Sequence, residues 1–231
     1  MMSSENVVPA NPKVSPALSL EWFKPPQQER SRGTHDRLIE AAERLVGRGR
    51  AWSEIGVVEL VKEAGTSVGA FYNRFRDKDA LLHILQITLY QEGEMTAARA
   101  NALAELDVPL ESLVQAFVTL AVGVYRQQHG IRRALLLQMF TDKPFRDRAV
   151  ALSKLTCEGL TGVLASRFPA IDQPTMRTAV DVAHRMIYGI LDQNLMYDDA
   201  PTDHVLADST MIEELTLAVH AYFVRKLGLN A

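Results

Sequence analysis

Only one cysteine, Cys157, occurs in the 231 residues, so no intrachain disulfide can form. That excludes a disulfide-stapled secreted scaffold and predicts a reducing, cytoplasmic location. No apolar run approaches the ~18–20 residues that span a bilayer. The longest candidates are each broken by Arg, Glu or Gln. The first residues lack a basic stretch followed by an apolar run, so a secretory signal is not expected. No β-branched run alternates with period two between turns, which predicts an all-α fold class. Catalytic signatures are missing as well: there is no HExxH, cysteine cluster, Walker-type loop or Ser/His/Asp order. No catalytic residue, metal or cofactor is therefore expected. Asp181 and His184 stand three apart on one helical face, but a di-metal bundle needs two such pairs and two further carboxylates. His184 reads instead as a pocket-lining or interface histidine. Cys157 reads as an inert, buried thiol, with Gly159 and Gly162 allowing close helix approach.

Charge is nearly balanced, with 25 basic and 28 acidic residues and a net charge of −3. Its distribution is more telling than its sum. Residues 30–79 carry 10 basic and 8 acidic side chains, whereas 80–231 carry 13 and 17. The small basic excess thus sits near the N-terminus. Five of the ten prolines fall in residues 1–31, a segment without apolar periodicity that reads as a flexible tail. Leu18, Leu20, Trp22 and Phe23 form a short apolar patch within it.

What the chain does have is helical periodicity from Thr34 onward, with 47% hydrophobic residues to fill a core. Leu38, Ala41, Ala42, Leu45 and Val46 recur at i, i+3, i+4, i+7 and i+8, one buried stripe of an amphipathic helix. Gly47 and Gly49 stop it. Further helices are predicted over 56–63, after Ser67 to about 75, and over 78–99, 109–128, 131–140, 145–167, 174–197 and 203–227. Pro109, Pro144 and Pro174 lie at helix starts, where a missing N–H costs least. Gly130 and Pro201 mark breaks, and Asp77 is placed to cap the helix from residue 78.

The most informative stretch is Leu60 to Leu82, LVKEAGTSVGAFYNRFRDKDALL. Leu60, Val61 and Ala64 form the buried face of one short helix. Gly65 supplies a tight turn with positive φ, and Ser67 can cap the next helix. Phe71 and Phe75 are four apart and face one core. Val68, Gly69 and Ala70 are left on the leading face, with Tyr72, Asn73 and Arg74 beside them. A slim, uncharged front of this kind can enter a major groove while its flanks hold phosphates.

This pattern resembles the helix-turn-helix signature of the TetR family of bacterial regulators. The matching residues are Arg37, Ile39, Ala41, Ala42 and Leu45, then Ala64, Gly65, Ser67, Phe71, Tyr72, Phe75, Lys78 and Leu81. The resemblance covers about 50 residues. The C-terminal ~150 agree only in length and helical character. It implies a tail over 1–31, a helix-turn-helix DNA-binding domain over 32–82, and a helical ligand-binding and dimerisation domain over 83–231. It further implies recognition of double-stranded DNA through residues 66–73, with Thr66 in the turn and phosphate contacts from Tyr72 and Lys78. A homodimer joined through helices near 174–197 and 203–227 is implied too, as is repression relieved by a small-molecule effector.

The chain departs from the family pattern where bases are read. Val58 replaces a frequent Arg, Gly56 replaces a Ser or Thr, Val68 a Lys, and Ala70 a Thr or Ser. The loop from Arg50 to Ile55 is longer than usual. Val68 and Ala70 can contact thymine methyls, but readout then leans on phosphates and DNA shape. Arg30 and Arg32 precede the first helix and could enter a minor groove or lie on a phosphate. These departures also motivate an alternative, a ligand- or protein-binding module on the same fold without sequence-specific DNA binding. Phe117, Tyr125, Met139, Phe140, His184 and Tyr188 are the candidates for lining a ligand pocket.

Overall fold

The computed structural model describes residues 29–90 and 108–229, with side chains described from residue 33. The apolar patch at 18–23, the side chains of Arg30 and Arg32, and the predicted helical segment 91–99 lie outside the described residues. Nine α-helices and no β-strand are found among those described. They are α1 (Glu29–Gly47), α2 (Val57–Glu63), α3 (Val68–Tyr72), α4 (78–90), α5 (Leu110–Gln127), α6 (His129–Met139), α7 (Lys143–Arg167), α8 (Gln173–Met196) and α9 (Asp208–Leu227). No helix among them is long and apolar enough to cross a membrane.

The predicted stripe of α1 is the packed one. Leu38, Ala41, Ala42, Leu45 and Val46 are all buried. They meet Leu60, Val61 and Ala64 from α2 and the rings of Phe71 and Phe75, which stand 5.4 Å apart. Both rings are fully buried. Truncating either to alanine would cost about 3–5 kcal/mol, a large part of a typical domain's stability. The same core continues along α4 through Leu81, Leu82, Ile84, Leu85, Ile87 and Leu89, then takes in Ile131, Ala134, Leu135 and Phe145. A division between 82 and 83 therefore falls inside one helix, and α4 belongs to both regions. A second core joins α5, α7, α8 and α9, with Val118, Leu164, Met176, Ile187, Val219 and Phe223 at its centre.

Several predicted boundaries shift, each for a visible reason. Helix α1 starts at Glu29, inside the segment assigned to the tail. Helix α3 ends at Tyr72, not near Phe75, and closes into a turn. Helix α9 starts at Asp208, not 203. Arg126 ion-pairs with both Asp199 and Asp208, which holds the connection from α8 in a folded-back loop with Asp198, Asp199 and Asp203 at positive φ. Gly130 is not a break: it lies in the first turn of α6. A Cβ there would sit 2.3 Å from the Val46 carbonyl oxygen, so only glycine lets α6 meet the end of α1.

Candidate nucleic-acid interface and ligand cavity

The turn between α2 and α3 is a Schellman motif. Thr66 N–H donates to the Val61 carbonyl (2.8 Å) and Gly65 N–H to the Lys62 carbonyl (3.2 Å). Gly65 has φ +59°, the left-handed conformation the motif requires. Arg37 of α1 donates through Nε to the Ala64 carbonyl at 3.2 Å, which satisfies another end of α2 and ties the turn to α1. Ser67 then caps α3: its Oγ accepts from Ala70 N–H at 3.1 Å. Phe71 anchors the buried side of α3, so the opposite side must face out. Val68 is 40% and Tyr72 54% exposed, and Gly69 and Asn73 are exposed with them. Thr66 and Ala70 are half-buried.

The charges around this face are mostly engaged. Arg44 and Arg48 both pair with Glu63, whose carboxyl they hold below its ordinary range. Arg50 pairs with Glu59 and Glu54, and Arg76 with Asp77. Arg74 donates to the Ala70 carbonyl at 2.9 Å, folding back along α3. Lys78 differs from a simple surface cation. Its Nζ donates to the carbonyls of Trp52 (2.7 Å) and Ile55 (2.9 Å), and lies 5.2 Å from the Trp52 ring. An ammonium has three donors, so Lys78 fastens the long Arg50–Ile55 loop to α4 and keeps one donor for another acceptor. Trp52 Nε1 reaches back to Asp79 (3.1 Å) and completes that fastening. Arg32 lies in the first turn of α1, outside the described side chains.

Helix α4 begins at its predicted cap, with Ala80 N–H donating to Asp77 Oδ1 at 2.7 Å. It then carries a polar row, the buried His83 and Gln86 and the half-buried Tyr90. Gln86 Nε2 donates to the Phe145 carbonyl (2.9 Å) and to Tyr90 Oη (3.2 Å). Arg148 of α7 donates to Gln86 Oε1 (2.6 Å) and to His83 Nδ1. An arginine can only donate, so His83 Nδ1 is an acceptor and the ring is neutral. Burial and the Arg148 charge lower its pKa to about 4. The ring also stacks on Phe145, with centroids 4.0 Å apart.

The far end of this row opens on a cavity of about 310 Å³ between α4, α5, α6, α7 and α8. Of the six predicted pocket residues, Phe117, Tyr125, Met139, His184 and Tyr188 line it. Phe140 does not. It caps the end of α6 with 69% exposure, while Leu135, Leu136 and Met139 of the preceding turn take the inward positions. Tyr125 donates to Asp192 at 2.8 Å, and its own hydroxyl proton is held more tightly by burial and the Asp192 charge. His184 packs on Tyr188 with centroids 4.4 Å apart, and burial lowers its pKa. Gln128, Arg132 and Asp192 also line the cavity and escaped the sequence reading. Their signal was spacing: Asp192 lies four residues beyond Tyr188 and eight beyond His184, on the same face of α8. Cys157 is half-buried, with its thiol pushed up to about 11 by burial and the nearby Asp181. Asp181 itself pairs with Arg185 at 2.7 Å.

Comparison with known proteins agrees with this arrangement. Residues 38–85 match the model of "Bacterial regulatory proteins, tetR family", and residues 109–223 match "Tetracyclin repressor-like, C-terminal domain". No curated protein matches the chain by sequence. Among solved structures, a transcriptional regulator from Mesorhizobium loti assigned to the TetR family has a TM-score of 0.68 at 12% identity, covering 86% of this chain and 98% of its own. NalD of Pseudomonas aeruginosa, described as the secondary repressor of the MexAB-OprM multidrug efflux pump, has a TM-score of 0.60 at 21% identity, covering 83% and 97%. FadR of Bacillus subtilis, in complex with stearoyl-CoA, has a TM-score of 0.55 at 14% identity, covering 85% and 100%. At such identities the solved structures show the fold, while both family models together span the helix-turn-helix and the helical region behind it. The chain belongs to the TetR family of bacterial regulatory proteins, and is a transcriptional regulator rather than an enzyme.

Proposed function

We propose that this protein is a cytoplasmic, homodimeric repressor that a small-molecule effector releases from a palindromic operator. One observation carries the reading: α4 joins the exposed, Ser67-capped helix α3 at one end and walls the cavity with Leu89 and Tyr90 at the other. Whatever occupies the cavity therefore presses on the helix that orients α3. In a dimer the two α3 helices must reach successive major grooves, about 34–36 Å apart. An effector that prefers a dimer with another spacing lowers DNA affinity by its differential affinity for the two states. NalD is described as a repressor and FadR was solved with an acyl-CoA, which supports both halves of the proposal.

In this reading Thr66 and Ser67 approach the backbone of the duplex. Val68, Gly69 and Ala70 face base edges, and Tyr72, Asn73, Arg74 and Lys78 flank them toward phosphates. Arg32 extends toward the adjacent minor groove. The exposed valines favour one second reading. Val58 is 71% and Val68 40% exposed, an apolar front that suits a protein or ligand partner as well as thymine methyls. A gel-shift experiment with the DNA upstream of the protein's own gene, at low salt and with competitor DNA, separates them. A retained band that resists competitor supports the repressor. Binding abolished equally by any competitor supports the module without sequence-specific binding.

A further inference from the structure

We propose that the cavity takes an amphipathic carboxylate of medium length, its anionic head on Arg132 and the end of its tail in an apolar slot beyond Thr156. The inference rests on reading this cavity as the effector site. It begins with a cation that makes no ion pair among the described residues. Arg132 Nε donates to Gln128 Oε1 at 3.1 Å, and the guanidinium lies 4.4 Å from the centroid of the Tyr125 ring. Among the described residues no carboxylate lies within salt-bridge distance of it, although Arg126, Arg133 and Arg185 nearby all have one. The outer edge of its fork is therefore available in a half-buried setting, where a planar bidentate acceptor gains most. The acid lining the same cavity is already engaged. Asp192 accepts from Tyr125, and burial pushes its pKa up against the opposing pull of that hydrogen bond and of the Arg132 charge, so it offers less to a cationic guest.

The other end of the cavity has the opposite character. Phe117, Thr156 and His184 line both the main cavity and a narrow slot of about 20 Å³ between α5, α7, α8 and α9. The slot is walled by Leu113, Leu160, Leu164, Ile187 and Phe223. Its few polar groups are quiet: Thr156 Oγ1 donates to the Leu152 carbonyl at 3.0 Å, and the Cys157 thiol stays protonated. A cation with a vacant edge at one end and a largely apolar extension at the other select an anion with a hydrocarbon tail. The slot has room only for the tip of that tail, which bounds the chain length.

Calorimetric titration of the full chain with octanoate, 1-octanol and octylamine tests this. Octanoate should bind most tightly. Arg132→Met should weaken octanoate about ten- to a hundred-fold while changing octanol less than about threefold. Arg132→Lys should recover part of the loss. Octanol binding to each variant also reports that its cavity is intact. Thr156→Phe, which fills the waist, should weaken octanoate and octanol together. If octylamine binds more tightly than octanoate, or Arg132→Met leaves octanoate unchanged while Thr156→Phe still expels octanol, the anionic assignment is wrong and the ligand cavity stands. If none of the three binds, or Thr156→Phe affects none of them, both readings are overturned.

Discussion

Single side chains here serve two purposes at once, and Lys78 is the clearest case. Its ammonium both satisfies two loop carbonyls and keeps a positive charge at the start of α4. Lys78→Ala should therefore do more than weaken DNA binding. It should lower unfolding stability by about 1–3 kcal/mol, because two half-buried carbonyls lose a charged donor. Tyr72→Phe removes only an exposed hydroxyl, so it should weaken binding to all DNA sequences with stability within ~0.5 kcal/mol of the parent. Urea denaturation together with salt-dependent binding distinguishes the two. Equal stability for both variants would show that the Lys78 clamp is not formed in solution. His83 gives a pH signature. Its folded pKa, about 4, lies below the ordinary value of 6.5, so the folded state binds fewer protons than the unfolded chain between those values. Stability is then full above pH 6.5 and falls as pH drops toward 4, by up to about 3 kcal/mol from this residue. His35 and His184, also lowered by burial, add in the same direction. Denaturation midpoints between pH 7 and 4 should fall less steeply in His83→Gln than in the parent.

Among the elements, α6 has the most constrained position. Its first turn touches α1 through Gly130, and the same turn brings Gln128 and Arg132 to the cavity. A ligand that pulls on Arg132 thus moves the helix seated against Val46. Gly130→Ala should force α1 and α6 apart, with a cost of about 1–3 kcal/mol. It should also loosen the effect of a bound effector on DNA affinity. The check is the ratio of operator affinities with and without effector, which should approach one in the variant. The sequence marked this glycine, but as a helix break. Only the packing of α1 shows that it serves a close approach. Ser67, Asp77 and Gly65 were read correctly because caps and turns are local, with partners three to five residues away.

At the scale of the molecule, one surface is left to account for. Gly189 and Ile190 of α8, with Met186, Gln193 and Met196, border a shallow apolar groove that Leu215 and Ala218 of α9 complete. Ile190 is 38%, Met196 44% and, nearby on α9, Leu217 63% exposed. Such a face suits a two-fold pairing with a second copy, in agreement with the proposed homodimer. Ile190→Glu with Leu217→Glu should give a folded monomer by sedimentation equilibrium, with operator affinity reduced at least a hundred-fold. A double variant that stays dimeric and binds DNA normally would place the interface elsewhere.

The sequence by itself determined most of the described helices, the turn chemistry and the scaffold of α3, because each depends on periodicity or on neighbours within one turn. Five of the six pocket candidates line the cavity, since bulky residues on the inward faces of α5, α6 and α8 have few other places to go. Tertiary structure alone decided the rest. It turned Phe140 outward, committed two donors of Lys78 to the loop, and stacked Arg132 on Tyr125 with its fork open. It also joined His83 and Gln86 to Arg148 across 65 and 62 residues of chain, respectively. The physical reason is that a side chain takes its role from whichever partner the fold brings against it, an acceptor for Lys78 and Arg148, a ring for Arg132 and solvent for Phe140, and no local pattern encodes that partner.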